Sequence, residues 1–242
     1  MIEVTGISKK LGSRQILDDI SFKAENGQIY GHIGYNAVGK TTLMRIICGI
    51  YRPDKGSILS DGRPVYENPE VKRECFFMTE EAPFFDQSTM NKMRRFYKGY
   101  YPEWSDKTFD ALVKWFGLNP DQQVSSFSKG MQRQASLTIA FSSRARVMLL
   151  DEAFDGLDEA IRKALSEMIR YYTGTKNAVT IISSHNLREL ETLADRVGLI
   201  DNGHLTFNDS VETVHRDYGM GLEEFFCRER NIDEINWKEI FE

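Results

Sequence analysis

The chain has 242 residues, 41% of them hydrophobic, and a formal net charge of −5. This length allows one large α/β domain or a core with an inserted subdomain, and this composition excludes a disordered chain. The acidic balance argues against general affinity for nucleic-acid phosphates. We find no signal-peptide pattern and no apolar run near the roughly 18–20 residues of a membrane span, which predicts a cytosolic protein.

The first 30 residues have the pattern of β-strands. Apolar residues alternate from Ile2 to Val4 and recur up to Phe22 after a turn at Gly12–Ser13. Asn26–Gly27 is a hairpin signal, and an apolar alternating run follows it. We therefore expect a hairpin here, whose second strand leads into the next loop.

That loop, Gly34–Thr42, fits the phosphate-binding pattern of Gly, four residues, then Gly-Lys-Ser/Thr. In such a loop, successive backbone N–H groups surround the phosphates and the next helix directs its positive dipole end at them. Lys40 would bridge the β- and γ-phosphates, and the Thr41 hydroxyl would bind Mg²⁺. The alternative is a glycine-rich turn before a core helix. A helix is predicted from apolar residues at helical spacing: Leu43, Ile46, Ile47 and Ile50.

Short strands and turns follow this helix. Asp61–Gly62 predicts a hairpin between Ser57–Leu59 and Val65–Tyr66, after a turn at Arg52–Gly56. Cys75–Met78 is wholly apolar, as in a buried parallel strand. The three cysteines are widely spaced, which predicts buried free thiols rather than disulfides or a zinc site: Cys48, Cys75 and Cys227.

From about Asp86 to Arg146 the composition is helical. Ser105 is positioned to cap a helix that Gly117 ends. The stretch Met93–Trp104 is rich in aromatic residues. It forms either a docking surface for a partner or the ordinary packing of a small helical subdomain, and packing is the favoured interpretation.

Ser128 lies where an N-cap would lie, before a helix-like run from Met131 to Ser143. By itself this pattern indicates no more than a helix cap, because Ser-x-Gly before a helix is common.

Four apolar residues, Val147–Leu150, predict a buried strand that ends in Asp151 and Glu152. Ligands bind at the carboxyl ends of open parallel sheets, where one carboxylate can hold Mg²⁺ and its neighbour can orient or deprotonate a water. The alternative is a polar strand end without a catalytic role.

A turn, Asp155–Asp158, then precedes a helix that extends to about Tyr172. The β-branched run Ala178–Ser183 predicts another strand, which places His185 near its carboxyl end. A single histidine there is usually structural, but its position after the Asp-Glu pair favours a role at the ligand site. A closing hairpin around Asn202–Gly203 is predicted next.

The order of these motifs resembles that of the ATP-binding cassette (ABC) ATPases over Met1–Phe207. This resemblance implies an α/β fold: a P-loop NTPase core with an N-terminal antiparallel β-subdomain and an inserted helical subdomain. The implied boundaries are an ATPase domain at 1–208, with its helical part at about 86–146, and a C-terminal extension at 209–242.

The resemblance also implies the site residues, with ATP and Mg²⁺ as ligands. Lys40, Glu152 and His185 would be catalytic. Asp151 would join Thr41 at the metal. The implied nucleotide contacts are the loop residues Gly34, Tyr35, Asn36, Ala37, Val38, Gly39, Lys40, Thr41 and Thr42, with Ser128, Gly130 and Asp158 acting across a head-to-tail pair of such domains.

Three departures from the family pattern bear on function. Ala37 stands where the family has glycine, which costs roughly 1 kcal/mol if φ must be positive. Glu80 aligns with the expected glutamine near the metal. Leu11 aligns with the aromatic residue that stacks on adenine, and a ring such as Tyr30 or Tyr51 is an alternative for that role.

Within the family, the Phe127–Met131 variant of the signature motif most resembles bacterial exporters of the bacitracin and multidrug-resistance kind. The implied partners are an integral-membrane permease in separate chains and a second ATPase subunit, with no nucleic acid, at the cytoplasmic face of the membrane. Two alternatives remain: a soluble ABC ATPase in translation or DNA repair, and a regulatory nucleotide-binding module.

The last residues are less informative. Asp209-x-x-Glu212 has the spacing of a capping box. Ile232, Ile235 and Trp237 predict a short helix against the domain.

Overall fold

The computed structural model describes residues 1–35, 37–80, 84–85 and 87–229. The strands are β1 (Ile2–Leu11), β2 (Arg14–Ala24), β3 (Ile29–Ile33), β4 (Lys55–Ser60), β5 (Arg63–Pro64), β6 (Cys75–Met78), β7 (Val147–Asp151), β8 (Val179–Ser183), β9 (Arg196–Asp201) and β10 (His204–Ser210). The helices are α1 (Lys40–Ile47), α2 (Pro69–Lys72), α3 (Met90–Tyr100), α4 (Asp106–Trp115), α5 (Lys129–Ser143), α6 (Glu159–Lys176), α7 (Leu187–Leu193), α8 (Val211–Thr213) and α9 (Leu222–Glu229).

A four-stranded antiparallel sheet has the order β2-β1-β4-β5. The predicted hairpin at Asp61–Gly62 is confirmed, because both residues have positive φ, 47° and 75°, as a two-residue hairpin turn requires. Its second strand is Arg63–Pro64 rather than Val65–Tyr66.

The hairpin predicted at Asn26–Gly27 is wrong. β2 lies in the antiparallel sheet and β3 lies in the other sheet. Only Gly27 of this pair has positive φ, and its N–H donates to the carbonyl of Ala178 at 2.8 Å. The turn therefore carries the chain from one sheet to the next instead of folding it back.

The second sheet has the order β10-β9-β3-β8-β7-β6, and all of its pairings are parallel except β9 with β10. β3, β8 and β7 are neighbours at its centre and are buried along their length. Their carboxyl ends meet at one edge, so the loop after β3, the residues after β8 and the end of β7 lie side by side.

Helices α3, α4 and α5 form a layer beside β6. Tyr97 and Tyr101 pack on Phe76, with ring centroids 5.9 and 5.6 Å away, and the Tyr101 hydroxyl donates to the Cys75 carbonyl. Phe96 and Tyr100 remain 52% and 40% exposed. Packing therefore accounts for one face of this aromatic stretch, and the other face lies at the surface.

The remaining local predictions have mixed outcomes. Ser105 caps α4 through the Thr108 N–H, as predicted. α1 ends at Ile47, so Ile50 lies beyond the helix and is exposed, because Gly49 at φ +72° ends the helical turn. Ser210 rather than Asp209 caps α8, since β10 continues through Ser210.

Other predictions concern the thiols and the chain end. Cys48 and Cys75 are buried and free, and burial raises the pKa of Cys48 to about 11. Cys227 is free and partly exposed. The helix predicted from Ile232, Ile235 and Trp237 lies outside the described residues. In the described part of the chain, none of the helices combines the length and the apolar character needed to span a membrane.

His32, on β3, is a buried histidine that the sequence did not single out. Its ring meets those of Phe22 and Tyr30 at 5.2 and 5.3 Å, and neither ring nitrogen has a hydrogen-bond partner among the described residues. Burial, together with the positive charge of Lys40, lowers its pKa to about 3.

Because the unfolded chain binds this proton near pH 6.5, stability should fall as the pH drops below that value. We expect the His32 contribution to the free energy of unfolding to decline by about 2 kcal/mol from pH 7 to pH 5. Urea unfolding of His32→Phe should lack this part of the decline, whereas His204→Gln, which removes an exposed histidine, should retain it. An equal decline in His32→Phe and wild type would contradict this contribution of His32 to the pH dependence of stability.

Candidate nucleotide-binding site

A cavity of about 460 Å³ opens at the edge where β3, β8 and β7 end. It brings together residues that are widely separated in the sequence: Leu11, Arg14, Ile16, Tyr35, Ala37, Gly39, Lys40, Thr41, Thr42, Glu80, Asp151, Glu152, Asp155 and His185. Glu80 and Leu11 both line the cavity. They stand where the family pattern has a glutamine and an aromatic residue.

The loop after β3 has the backbone of a phosphate-binding turn. A Cβ on Gly34 would lie 2.7 Å from the carbonyl oxygen of Ile200 and 2.8 Å from a Val38 methyl, so only glycine fits there. Ala37 has φ 62°, as the family pattern requires of this position, and it accepts a backbone strain of roughly 1 kcal/mol. Asn36 lies outside the described residues.

Lys40 is a buried cation at the base of this loop. Its Nζ donates to the carbonyls of Gly34 at 2.5 Å and Tyr35 at 3.2 Å, and it lies 4.0 Å from Oε1 of Glu152. Loss of hydration lowers its pKa, while the carboxylates of Glu152, Asp151 and Glu80 act in the opposite direction. A phosphate group beside Nζ would supply the strong acceptors that a buried ammonium needs, so the site fits a nucleotide polyphosphate.

Asp151 and Thr41 provide adjacent oxygen atoms. Oδ2 of Asp151 accepts from the Thr41 hydroxyl at 2.6 Å, and Oδ1 accepts from the Ser183 hydroxyl at 2.5 Å. Hard divalent cations prefer such carboxylate and hydroxyl oxygens, and Mg²⁺ is usually held by one or two carboxylates together with phosphate oxygens. Thr41, Asp151 and Glu80 therefore fit a magnesium ion beside the phosphates.

Glu152 is fixed at a sharp turn of the backbone. Its φ is 49°, and its N–H donates to the Ser183 carbonyl at 3.2 Å and the Ser183 hydroxyl at 3.1 Å. Its Oε2 accepts from the His185 backbone N–H at 3.2 Å and lies 2.9 Å from Nδ1 of His185. An ionised carboxylate only accepts hydrogen bonds, so the contact suits the His185 tautomer that carries its proton on Nδ1.

Three other predicted residues lie elsewhere. Ser128 caps α5 through the Met131 N–H and Asp158 caps α6 through the Ile161 N–H. Neither they nor Gly130 line the cavity. The structure thus places Ser128 as the helix cap that the sequence indicated, with its side chain exposed.

Leu11 lines the cavity together with Arg14 and Ile16, so the lining residues from β1 and β2 include no aromatic ring. Tyr30 is buried and donates to Asn208, and Tyr51 packs beside Arg45, so neither alternative lines the cavity. Among the described lining residues, Tyr35 is the one aromatic, and it belongs to the phosphate loop.

Sequence reasoning missed four residues of this site. Arg14 and Ile16 line the cavity beside Leu11, and Asp155 lines it 3.9 Å from Nδ1 of His185. Ser183 holds both Asp151 and Glu152. The position of Ser183 at the end of an apolar strand, next to the Asp-Glu strand, was the available signal for it.

Comparisons with known proteins agree with this geometry. Residues 17–155, more than half of the chain, match the family described as ABC transporter. A solved structure described as the ATP-binding subunit of an ABC transporter superposes with a TM-score of 0.87 at 25% identity, covering 94% of this chain and 98% of that one.

Three curated relatives differ in their named transport roles. The ABC transporter ATP-binding protein YtrB of Bacillus subtilis is 29% identical, with 90% of this chain and 75% of that protein covered. The bacitracin transport ATP-binding protein BcrA of Bacillus licheniformis is 29% identical, covering 85% and 68%. The spermidine/putrescine import ATP-binding protein PotA of Legionella pneumophila is 28% identical, covering 97% and 66%.

Proposed function

Because this chain belongs to the ABC transporter family as an ATP-binding subunit that hydrolyses ATP, we propose that it powers export through a separate integral-membrane permease. The observation that most supports the ATP-hydrolysing part of this proposal is the meeting of Lys40, Asp151 and the Glu152–His185 pair at three adjacent strand ends. Each carries one part of the chemistry that phosphoryl transfer to water requires.

In the proposed mechanism, the loop N–H groups and Lys40 bind the β- and γ-phosphates of ATP. Thr41, Asp151 and Glu80 would hold Mg²⁺, which when bound offsets the negative charge of the phosphate oxygens. Glu152 orients a water and takes its proton as the water oxygen bonds to the γ-phosphorus. The bond to the bridging oxygen breaks, ADP keeps that electron pair, and His185 orients Glu152 through Nδ1.

A second ATP-binding subunit completes the proposed site. Ser128 and Gly130 lie at the N-terminus of the 15-residue helix α5, where N–H groups and the helix dipole favour an anion. Since they do not line the cavity of their own chain, they would meet the γ-phosphate of a partner in a head-to-tail dimer.

This pairing is tested by Ser128→Arg in a Glu152→Gln background. We expect the variant to weaken ATP-dependent dimerisation about tenfold or more, which corresponds to the loss of one hydrogen bond to a charged group. Sedimentation velocity with and without ATP measures it. Ser125→Arg places the same side chain on a neighbouring exposed serine and should dimerise normally, and normal dimers of Ser128→Arg would contradict head-to-tail pairing.

The proposals of export and of a permease partner do not rest on the geometry of the nucleotide site. Bacitracin transport is the named role of one relative, although import is the named role of another. A multi-span membrane protein encoded beside this chain should copurify with it at the cytoplasmic face of the membrane. Transport assays in vesicles of both orientations then give the direction. A chain that hydrolyses ATP but stays off membranes would favour the soluble translation or repair ATPase, and one that binds ATP without turnover would favour a regulatory module.

Leu11 leads to a prediction about the base. Base–aromatic stacking contributes about 1–3 kcal/mol, and leucine offers apolar contact without a flat ring. We expect Leu11→Tyr to tighten ATP binding about 5- to 140-fold, with modest selectivity of the wild type for ATP over GTP. Calorimetry in the Glu152→Gln background measures both, and Leu11→Met, which adds no ring, should leave affinity unchanged. Equal ATP affinities with and without the Leu11→Tyr substitution would place the base elsewhere.

A further inference from the structure

The C-terminal segment reaches the phosphate-binding loop. The ring of Phe226, on α9, lies against the ring of Tyr35, with centroids 5.3 Å apart and planes tilted by 59°. Tyr35 directly follows Gly34 in the loop and lines the nucleotide cavity. One side chain of the loop therefore faces both the nucleotide cavity and the C-terminal helix.

α9 is firmly attached on its other face. Leu222 and Phe225 are buried, and the Phe225 ring packs on Phe207 at 4.6 Å and on Tyr218 at 4.9 Å. Glu223 also pairs with Arg188 of α7 at 3.0 Å, although an exposed pair of this kind adds little stability. Phe226 thus extends towards the loop from a helix held by the core.

The backbone of Tyr35 contacts Lys40, the residue proposed to bind the phosphates. Its carbonyl accepts from Nζ of Lys40, as does that of Gly34. The next described residue, Ala37, is exposed and has no side chain long enough to anchor the loop. The contact with Phe226 therefore links the start of this loop to the C-terminal helix.

We propose that Phe226 is a positioning residue for ATP binding: its ring holds Tyr35, and through it the phosphate loop and Lys40, in the geometry that receives the β- and γ-phosphates. The inference rests on the proposed role of this loop and adds the C-terminal segment to it. A loop ordered before binding loses less conformational freedom when ATP arrives, so the contact strengthens affinity without touching the nucleotide.

The test compares ATP dissociation constants in the full chain carrying Glu152→Gln. An aromatic pair of this kind corresponds to a factor of about 2 to 12 in an equilibrium constant, so Phe226→Ala should raise the dissociation constant by that factor. Phe226→Tyr, which keeps the ring, should bind as the background does. Tyr218→Ala removes another ring that packs on α9, away from Tyr35, and should leave ATP affinity unchanged while lowering the unfolding temperature.

Two further readouts separate positioning from general stability. Amide exchange in residues 34–42 should quicken in Phe226→Ala and not in Tyr218→Ala. Adding Phe226→Ala to Tyr35→Ala should have no additional effect on affinity, because the contact is already lost. If Phe226→Ala impairs folding, Tyr35→Ala still tests the contact from its other side, since it should quicken exchange in the remaining loop amides.

Failure of the Glu152→Gln protein to bind ATP would overturn the proposed function itself. A background that binds ATP, with Phe226→Ala binding equally well or with Tyr218→Ala weakening affinity to the same extent, would overturn the positioning role of Phe226 alone.

Discussion

Replacing Glu152 by glutamine should lower ATP hydrolysis by on the order of 10²-fold or more while ATP binding survives. The amide keeps the size of the side chain. It also keeps an oxygen that can accept from the backbone N–H of His185, which lies 3.2 Å from Oε2 of Glu152. It loses the ability to take a proton from water. Because the proposed role of Glu152 is to act on the attacking water rather than to bind the phosphates, ATP affinity should change much less than turnover.

Steady-state phosphate release and calorimetry measure the two effects separately. An ATP-stabilised dimer should also become easier to isolate, because the bound triphosphate persists. Glu167→Gln makes the same chemical change at an exposed position of α6 and should leave turnover intact. Near-normal hydrolysis by Glu152→Gln would remove Glu152 from the role of base.

The central site was predictable because its motifs carry their own local geometry. Gly34 and Ala37 adopt backbone conformations that the loop pattern itself demands. Thr41 and Asp151 are far apart in sequence, yet their 2.6 Å contact follows once β3 and β7 are placed on either side of β8 with their carboxyl ends at the same edge of the sheet. Local pattern and sheet topology together were sufficient for these residues.

Other features depend on contacts that no local pattern specifies. Asn26–Gly27 gives a true turn, but which sheet the next strand joins is decided by pairing with β8 and β9. Arg14 and Ile16 reach the cavity because the antiparallel sheet packs beside the loop. In the same way, the Tyr35–Phe226 contact joins two residues that are far apart in the sequence, and sequence spacing gives no distance between them.

Small errors of position have simpler causes. A cap is identified by polar side chains that several neighbouring residues can supply, so the spacing of Asp209 and Glu212 predicted a cap one residue before Ser210, the residue that caps α8. Ile50 continued the apolar helical spacing, but Gly49 had already ended the helix. Periodicity marks the buried face of a helix better than it marks the last turn.

Lys40 is the residue whose loss should weaken ATP binding most. Removing one partner of a buried, hydrogen-bonded charge pair costs about 2–5 kcal/mol, so Lys40→Ala should raise the dissociation constant for ATP by on the order of 10²-fold or more. Nζ is buried and donates to two loop carbonyls. Its charge also interacts favourably with the carboxylates of Asp151, Glu152 and Glu80.

Calorimetry with ATP measures this change, with Lys107→Ala as the matched control, because that lysine is exposed on α4. Lys40→Met adds a second comparison, since methionine keeps most of the apolar stem and removes the charge alone. If both substitutions weaken binding equally, the effect belongs to the ammonium group, and ATP should then also fail to raise the unfolding temperature of either variant as it does for the wild type. Unchanged ATP affinity in Lys40→Ala would show that the phosphates bind away from this loop.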